Sequence, residues 1–267
     1  MAGSMVYRLR VGSLDDPYMQ RFRQAMDKMQ AIGDKRGYNH IAGFHGVPDW
    51  DCWHHQINQH NPRVRARLFL PWHRAYLWWL EQAMQDQVDG TALPWWDWTT
   101  QRGVPASYAA PKVGSNRNSL YNSRINLPEV KPPVNRFTTR DPGRPSALPT
   151  PRHVETLLDE SDWGTFSDGL ESVHDDVHGW VGGQTGDMGQ LDFAAYDPIF
   201  FAHHCMIDRL WYLWQTRHGK TRITPGLLDM ELIPFGKRVS DLIDVEPLGY
   251  EYAASAAEIN VGEAQHG

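Results

Sequence analysis

The chain has 267 residues, of which 41% are hydrophobic and 22% charged, with a formal net charge of −6. That composition is ordinary for a globular protein, holds no apolar run long enough to span a bilayer, and has no basic tract of the kind that binds nucleic acid. Its two cysteines, Cys52 and Cys205, cannot form a disulfide framework, so with no signal-peptide pattern at the start a cytoplasmic setting is expected. Residues 1–5 read as a short remnant ahead of a native start at Met5.

Residues 16–32 read as an amphipathic helix, because Met19, Phe22, Met26 and Met29 recur at helical spacing. A second helix is expected from Pro71 to about Val88. Proline suits a helix start, and Trp72, Ala75, Tyr76, Trp79, Leu80 and Ala83 make one apolar stripe. Residues 101–152 hold nine of the 18 prolines, which predicts a long irregular loop with at most a short strand. A connection of that length usually has a functional reason. A third helix is expected from about Ser167 to His178, ending near Gly179. A fourth runs from Asp197-Pro198 to about Arg217, with Gly219 as its stop. From Thr221 the chain reads as loop with short extended pieces. Four helices joined by long connections predict a mainly α fold: a four-helix bundle with a site in its core, long irregular loops and few short strands.

The histidines fall into two clusters. His174 and His178 are four apart on one predicted helix, so both imidazoles leave the same face, and His204 on the next helix could close a three-nitrogen site. His45, His54 and His73 lie in the first half, with His55 competing by proximity for the place of His54. A lone helical histidine is more often a satisfied core residue. A tri-histidine zinc site would explain one cluster and leave the other unexplained. Carboxylate di-iron bundles need a Glu-x-x-His pair on each of two helices, and around these clusters that spacing occurs once, at Glu171-Ser172-Val173-His174. Neutral imidazole suits copper in both oxidation states, and three imidazoles without a carboxylate leave the ion its full charge and an open position. His40, His60, His153, His218 and His266 match no motif.

The order of these motifs resembles the type 3 copper family of tyrosinases, catechol oxidases, polyphenol oxidases and molluscan hemocyanins. Phe69-Leu70-Pro71-Trp72-His73-Arg74 is similar to the CuA helix, and Gly43-Phe44-His45-Gly46 and Cys52-Trp53-His54 to its loop ligands in molluscan-type members. His174-Asp175-Asp176-Val177-His178 and Asp197-Pro198-Ile199-Phe200-Phe201-Ala202-His203-His204, followed by Asp208-Arg209, are similar to CuB. Trp95-Trp96-Asp97-Trp98 and Gly249-Tyr250-Glu251-Tyr252 resemble two outlying marks of the family, and an arginine in Tyr7-Arg8-Leu9-Arg10 could stack on the tyrosine motif.

The resemblance implies a dinuclear site of two copper ions held by His45, His54, His73, His174, His178 and His204. His203 is then a packing neighbour. It implies a thioether crosslink between Cys52 and His54, with a buried free thiol as the plainer reading of Cys52, and leaves Cys205 as a buried thiol. It implies one catalytic domain over residues 6–252, with residues 253–267 too short to form the lid domain of some members, hence an open site. The implied partners are dioxygen and a phenol, catechol or o-aminophenol, with a copper chaperone as a further candidate. The expected activity is oxidation of o-diphenols to o-quinones, and whether monophenols are hydroxylated as well is left open by the residue at position 175. The alternatives are an o-aminophenol oxidase and a hemocyanin-like dioxygen carrier. Glu171 and Asp175 are the expected proton-handling residues, Asp175 standing where the family often has Asn. Met206 is expected to flank the substrate entrance, with helix-face packing as the plain alternative.

Overall fold

The computed structural model describes residues 5–54, 67–220 and 222–255. Its helices are α1 (Pro17–Ala31), α2 (Tyr38–Gly43), α3 (Phe69–Gln85), α4 (Ala106–Ala109), α5 (Pro151–Asp159), α6 (Trp163–Gly182) and α7 (Ile199–His218). The strands are short and paired in twos. β1 (Val6–Arg8) runs parallel to β8 (Tyr250–Tyr252). β2 (Lys112–Val113) with β3 (Asn116–Arg117), β4 (Arg124–Leu127) with β5 (Val134–Phe137), and β6 (Glu231–Leu232) with β7 (Lys237–Arg238) are antiparallel. The protein is therefore mainly α with few short strands, as the periodicity predicts.

The four long helices form where expected, with boundaries set by caps and packing. Asp16 accepts from Tyr18 N at 2.9 Å and Pro17 opens α1, which buries Met19, Phe22, Met26 and Met29. α3 starts at Phe69 and carries Pro71 in its first turn, where a missing amide costs nothing. Its buried face is Trp72, Ala75, Tyr76, Leu77, Leu80 and Met84, while Trp79, counted in the apolar stripe, is 37% exposed. α6 extends beyond the expected Ser167–His178 at both ends. Asp162 caps it by accepting from Thr165 N at 2.8 Å, and Gly179 lies inside the helix, which ends at Gly183 (φ 53°). α7 ends at Gly219 (φ 99°), as expected.

Two differences have plain causes. α2 has six residues, too short to show a period. α5 begins on Pro151, read in the sequence as a breaker, but Thr150 accepts from His153 N at 3.2 Å and Val154 and Leu158 bury a stripe of only two residues. The proline-rich segment is also no free loop. It holds two hairpins and α4, and Arg140 donates to Asp197 (2.7 Å), Tyr108 O (2.8 Å) and Leu120 O (2.9 Å).

Helices α3, α6 and α7 surround an aromatic core in which Trp72, Trp96, Trp98, Trp211 and Trp214 are fully buried. At its base Arg8, 0% exposed, donates to both oxygens of Glu81 (3.0 and 2.8 Å) and to Asp208 (3.2 Å), and its guanidinium lies 3.4 Å over the Tyr250 ring. Arg8 is thus the arginine that stacks on the tyrosine motif. Arg74 donates to the other Asp208 oxygen and lies 3.5 Å over Trp211. Asp208 therefore ties β1, α3, α7 and β8 together. Trp95 Nε1 adds bonds to Arg8 O and Ala253 O, and Trp96 N binds Ala202 O on α7. The outlying motifs are the fastenings of the bundle.

Candidate metal centre

One turn above this ion network the two histidine clusters meet. His73 follows Trp72 on α3, and His204 stands one turn before Asp208 on α7, so the residues fastened below also fix the two rings above. Those rings stack with centroids 4.4 Å apart. His45 follows α2 and is held against the 190–194 turn through Val47 N to Asp192 O at 3.2 Å. Gly46 permits that approach, because a Cβ there would stand 2.3 Å from Asp192 O. His54 comes from the following loop, its ring centroid 5.2 Å from His45 and 5.0 Å from His73. His55 lies outside the described residues. His45, His54 and His73 are all buried, and each offers a ring nitrogen within 4.8 Å of the others.

The second cluster is better defined. His174 and His178 leave one face of α6, and His204 approaches from α7. His204 Nε2 lies 3.2 Å from His174 Nε2 and 3.1 Å from His178 Nε2. Three nitrogens about 2.0 Å from one ion at near-tetrahedral angles stand roughly 3.3 Å apart, so this spacing fits a shared metal. The opposite ring nitrogens are engaged elsewhere: His174 Nδ1 with Asp175 Oδ1 (2.9 Å), His178 Nδ1 with Met188 O (2.7 Å), and His73 Nδ1 with Phe69 O (2.8 Å). Those acceptors call for a proton on Nδ1 and leave the Nε2 lone pair for a metal. His73 Nε2 is buried with no hydrogen-bond partner among the described residues. An unpaired buried polar atom costs about 1–3 kcal/mol, which a metal bond would remove.

Burial also keeps these rings neutral. It pushes His45, His73, His174 and His204 well below the ordinary imidazole value, helped by neighbouring imidazoles, and lowers His178 to about 4. A neutral ring is the form that ligates. His203 is also buried and has a nitrogen within 4.8 Å of the same group, but its ring stacks on His174 (5.2 Å, 15°). The close approaches to His174 and His178 are made by His204.

A cavity of about 230 Å³ opens beside the clusters, walled by His45, His54, His174, His178, Asp175 and Met188 together with Leu191 and Ala194. The Asp175 side chain is 34% exposed and marks where solvent reaches it. Glu171 is fully buried one turn before His174. Met206 is 3% exposed, packed in the core. Two residues past His204 on a helix, it points away from that ring. The methionine on the cavity wall is Met188, which no periodicity or motif marks. Phe200, stacked on His204 at 3.9 Å, was likewise unmarked, although it lies in the CuB stretch. Cys52 is buried, and burial pushes its thiol up to about 12.

Two facing all-histidine clusters in a helical core define a dinuclear copper protein of the type 3 class. The family model described as the common central domain of tyrosinase matches residues 35–217, and the chain belongs to the tyrosinase family. It is 34% identical over 224 residues to the hemocyanin G-type, units Oda to Odg, of Enteroctopus dofleini, covering 78% of this chain and 7% of that one. It is 32% identical over 209 residues to the tyrosinase of Streptomyces glaucescens, covering 68% of this chain and 75% of that one. The match spans 37% of the Sepia officinalis hemocyanin units G and H, so the chain covers less than two thirds of the length of both of these curated hemocyanins. Among solved structures, a functional unit from octopus hemocyanin superposes with a TM-score of 0.76 at 26% identity, over 98% of this chain and 73% of that one. The tyrosinase of Burkholderia thailandensis gives 0.76 at 20% identity, over 95% and 75%, and shares the fold. Among the described residues no helix is long and apolar enough to cross a membrane.

Proposed function

We propose that the chain is a copper oxidase that uses dioxygen to convert o-diphenols to o-quinones, with residues 6–252 acting as one catalytic unit. His45, His54 and His73 would hold one copper ion, and His174, His178 and His204 the other. Copper so held supplies electron exchange with dioxygen. The observation that carries the reading is the cavity. At about 230 Å³ it is smaller than the sites of drug-sized ligands and suits a single ring. Its apolar walls, Met188, Leu191 and Ala194, would pack the ring edge while four ligand histidines form its floor.

Asp175 is the carboxylate on the wall. Its Oδ1 is bonded to His174 Nδ1, so the side chain would both orient that ring and accept a proton from a substrate hydroxyl. That is the step a monophenol needs before it can react, and Glu171, one turn below, would assist. An o-aminophenol presents the same single ring with one hydroxyl and an ortho donor, so it is the second reading of the same cavity. Cys52 and His54, two apart in a buried loop, are proposed to form a thioether: a C–S bond would replace the thiol S–H and one ring C–H, the two hydrogens passing to dioxygen as oxidant, and would fix the His54 ring.

The test is oxygen uptake by copper-loaded protein given a monophenol, a catechol and an o-aminophenol in parallel. Fastest turnover of the catechol is expected. Fastest turnover of the aminophenol would move the assignment to an aminophenol oxidase. No turnover of any of them, with reversible dioxygen binding, would replace the oxidase by a carrier.

A further inference from the structure

The proline-rich segment bears on the metal site at one point. Arg136, on β5, donates to both oxygens of Asp187 (2.8 and 2.5 Å). Thr139 N donates to Asp187 Oδ2 (2.7 Å), and Asp187 N returns a bond to Thr139 O (2.9 Å). Asp187 is 1% exposed and opens the 3-10 turn Asp187–Gly189. The next residue, Met188, presents its carbonyl to His178 Nδ1 at 2.7 Å. The turn reaches His178 because Gly182 and Gly189 lie against each other: a Cβ on Gly182 would stand 2.1 Å from Gly189 N. Asp141 N to Val181 O and Gly143 N to Trp180 O hold the same segment along the end of α6.

We propose that Arg136 and Asp187 are positioning residues for the second copper site. Their ion pair clamps the turn whose Met188 carbonyl sets the tautomer and rotation of His178. The inference rests on His178 being a copper ligand. A bidentate arginine–carboxylate pair is geometrically specific, and the carboxylate here is withdrawn from water, so neither partner has an equivalent substitute. Without the clamp the turn would lose its anchor to β5, the Nδ1 acceptor would shift, and His178 would offer Nε2 less of the time. Groups that orient a ligating imidazole are worth about 10- to 100-fold in metal affinity. The same Met188 walls the cavity, so the clamp also sets one side of the substrate space.

The test is copper retention against a Cu(I) chelator for wild type, Asp187→Asn, His178→Ala and the double variant, with Arg136→Lys as a milder probe. Thermal unfolding of each metal-free protein serves as the folding control. Asp187→Asn is expected to weaken the second copper about 10- to 100-fold, and Arg136→Lys to weaken it less. On the His178→Ala background the added loss from Asp187→Asn should stay within about twofold, because residues acting through one group are not additive. Unchanged retention in Asp187→Asn, or an equal loss on both backgrounds, overturns the clamp. A His178→Ala protein that keeps both copper ions as tightly as wild type overturns the proposal through its premise. The two failures are distinguishable, since in the first the single His178→Ala variant does lose copper.

Discussion

The two halves of the metal centre are built differently. The His174–His178–His204 half stands on two twenty-residue helices, with two of its rings already oriented by Asp175 and Met188. The His45–His54–His73 half takes one ring from a helix and two from loops, and the segment that follows His54 lies outside the described residues. One half is held by helix geometry and outer hydrogen bonds. In the other, His73 has such support from α3 and Phe69 O, while the two loop rings depend on backbone approach at Gly46 and, in the proposed reading, on a covalent tether at Cys52. Loss of an outer hydrogen bond should therefore show in the first half, and loss of the tether in the second.

The largest effect short of removing a ligand is expected where the two halves are fastened together. Asp208→Asn leaves Arg8 and Arg74 buried without their shared carboxylate, and breaking a buried pair typically costs about 3–5 kcal/mol. The melting temperature of the metal-free protein reads this directly. A change below about 1 kcal/mol would show that the halves are joined by packing alone.

The next effect is set by pH. The folded His178 value of about 4 lies below the ordinary 6.5, so the unfolded chain takes up a proton that the folded chain refuses. Stability of the metal-free protein is then full above about 6.5 and falls as pH drops towards 4, by up to about 3 kcal/mol for this residue alone. The other buried imidazoles, also lowered, act in the same direction. A melting temperature that is flat between about pH 7 and 5 would contradict neutral, buried rings.

A smaller and one-sided effect is expected at the tether. Cys52→Ala should leave the fold intact and loosen copper in the loop-built half only, and the intact mass of copper-loaded wild type should be lower by two hydrogens. An unshifted mass would remove the crosslink. The smallest effect is expected at Asp175→Asn, which keeps a hydrogen-bonding side chain beside His174 but removes its charge. The ratio of monophenol to diphenol turnover should change while diphenol turnover stays within about tenfold. An unchanged ratio would mean that this carboxylate does not handle the substrate proton.

The contrast between the halves also explains what the sequence could reveal. His174 and His178 announce themselves by their spacing of four, because a helix converts sequence distance into direction. His45 and His54 carry no such period and stand out only through the resemblance of Gly-Phe-His-Gly and Cys-Trp-His to family motifs. The four long helices were legible from apolar recurrence, with α6 underestimated because its capping Asp162 and the buried Trp163 lie outside the periodic stretch. Arg136, Asp187 and Met188 were invisible for a physical reason. The contacts of Asp187 with Arg136 and Thr139 join positions 51 and 48 residues apart, and a backbone carbonyl such as that of Met188 carries no side-chain signature. Met206 shows the converse, since proximity to His204 in sequence places it on the opposite side of α7.

The most direct test of the account is the copper content of the purified, fully loaded protein beside His73→Ala and His204→Ala, one substitution in each half. The account predicts two copper ions per chain in wild type and one in each variant, with oxygen consumption lost in both. A single copper in wild type, or two retained in either variant with full turnover, would contradict it.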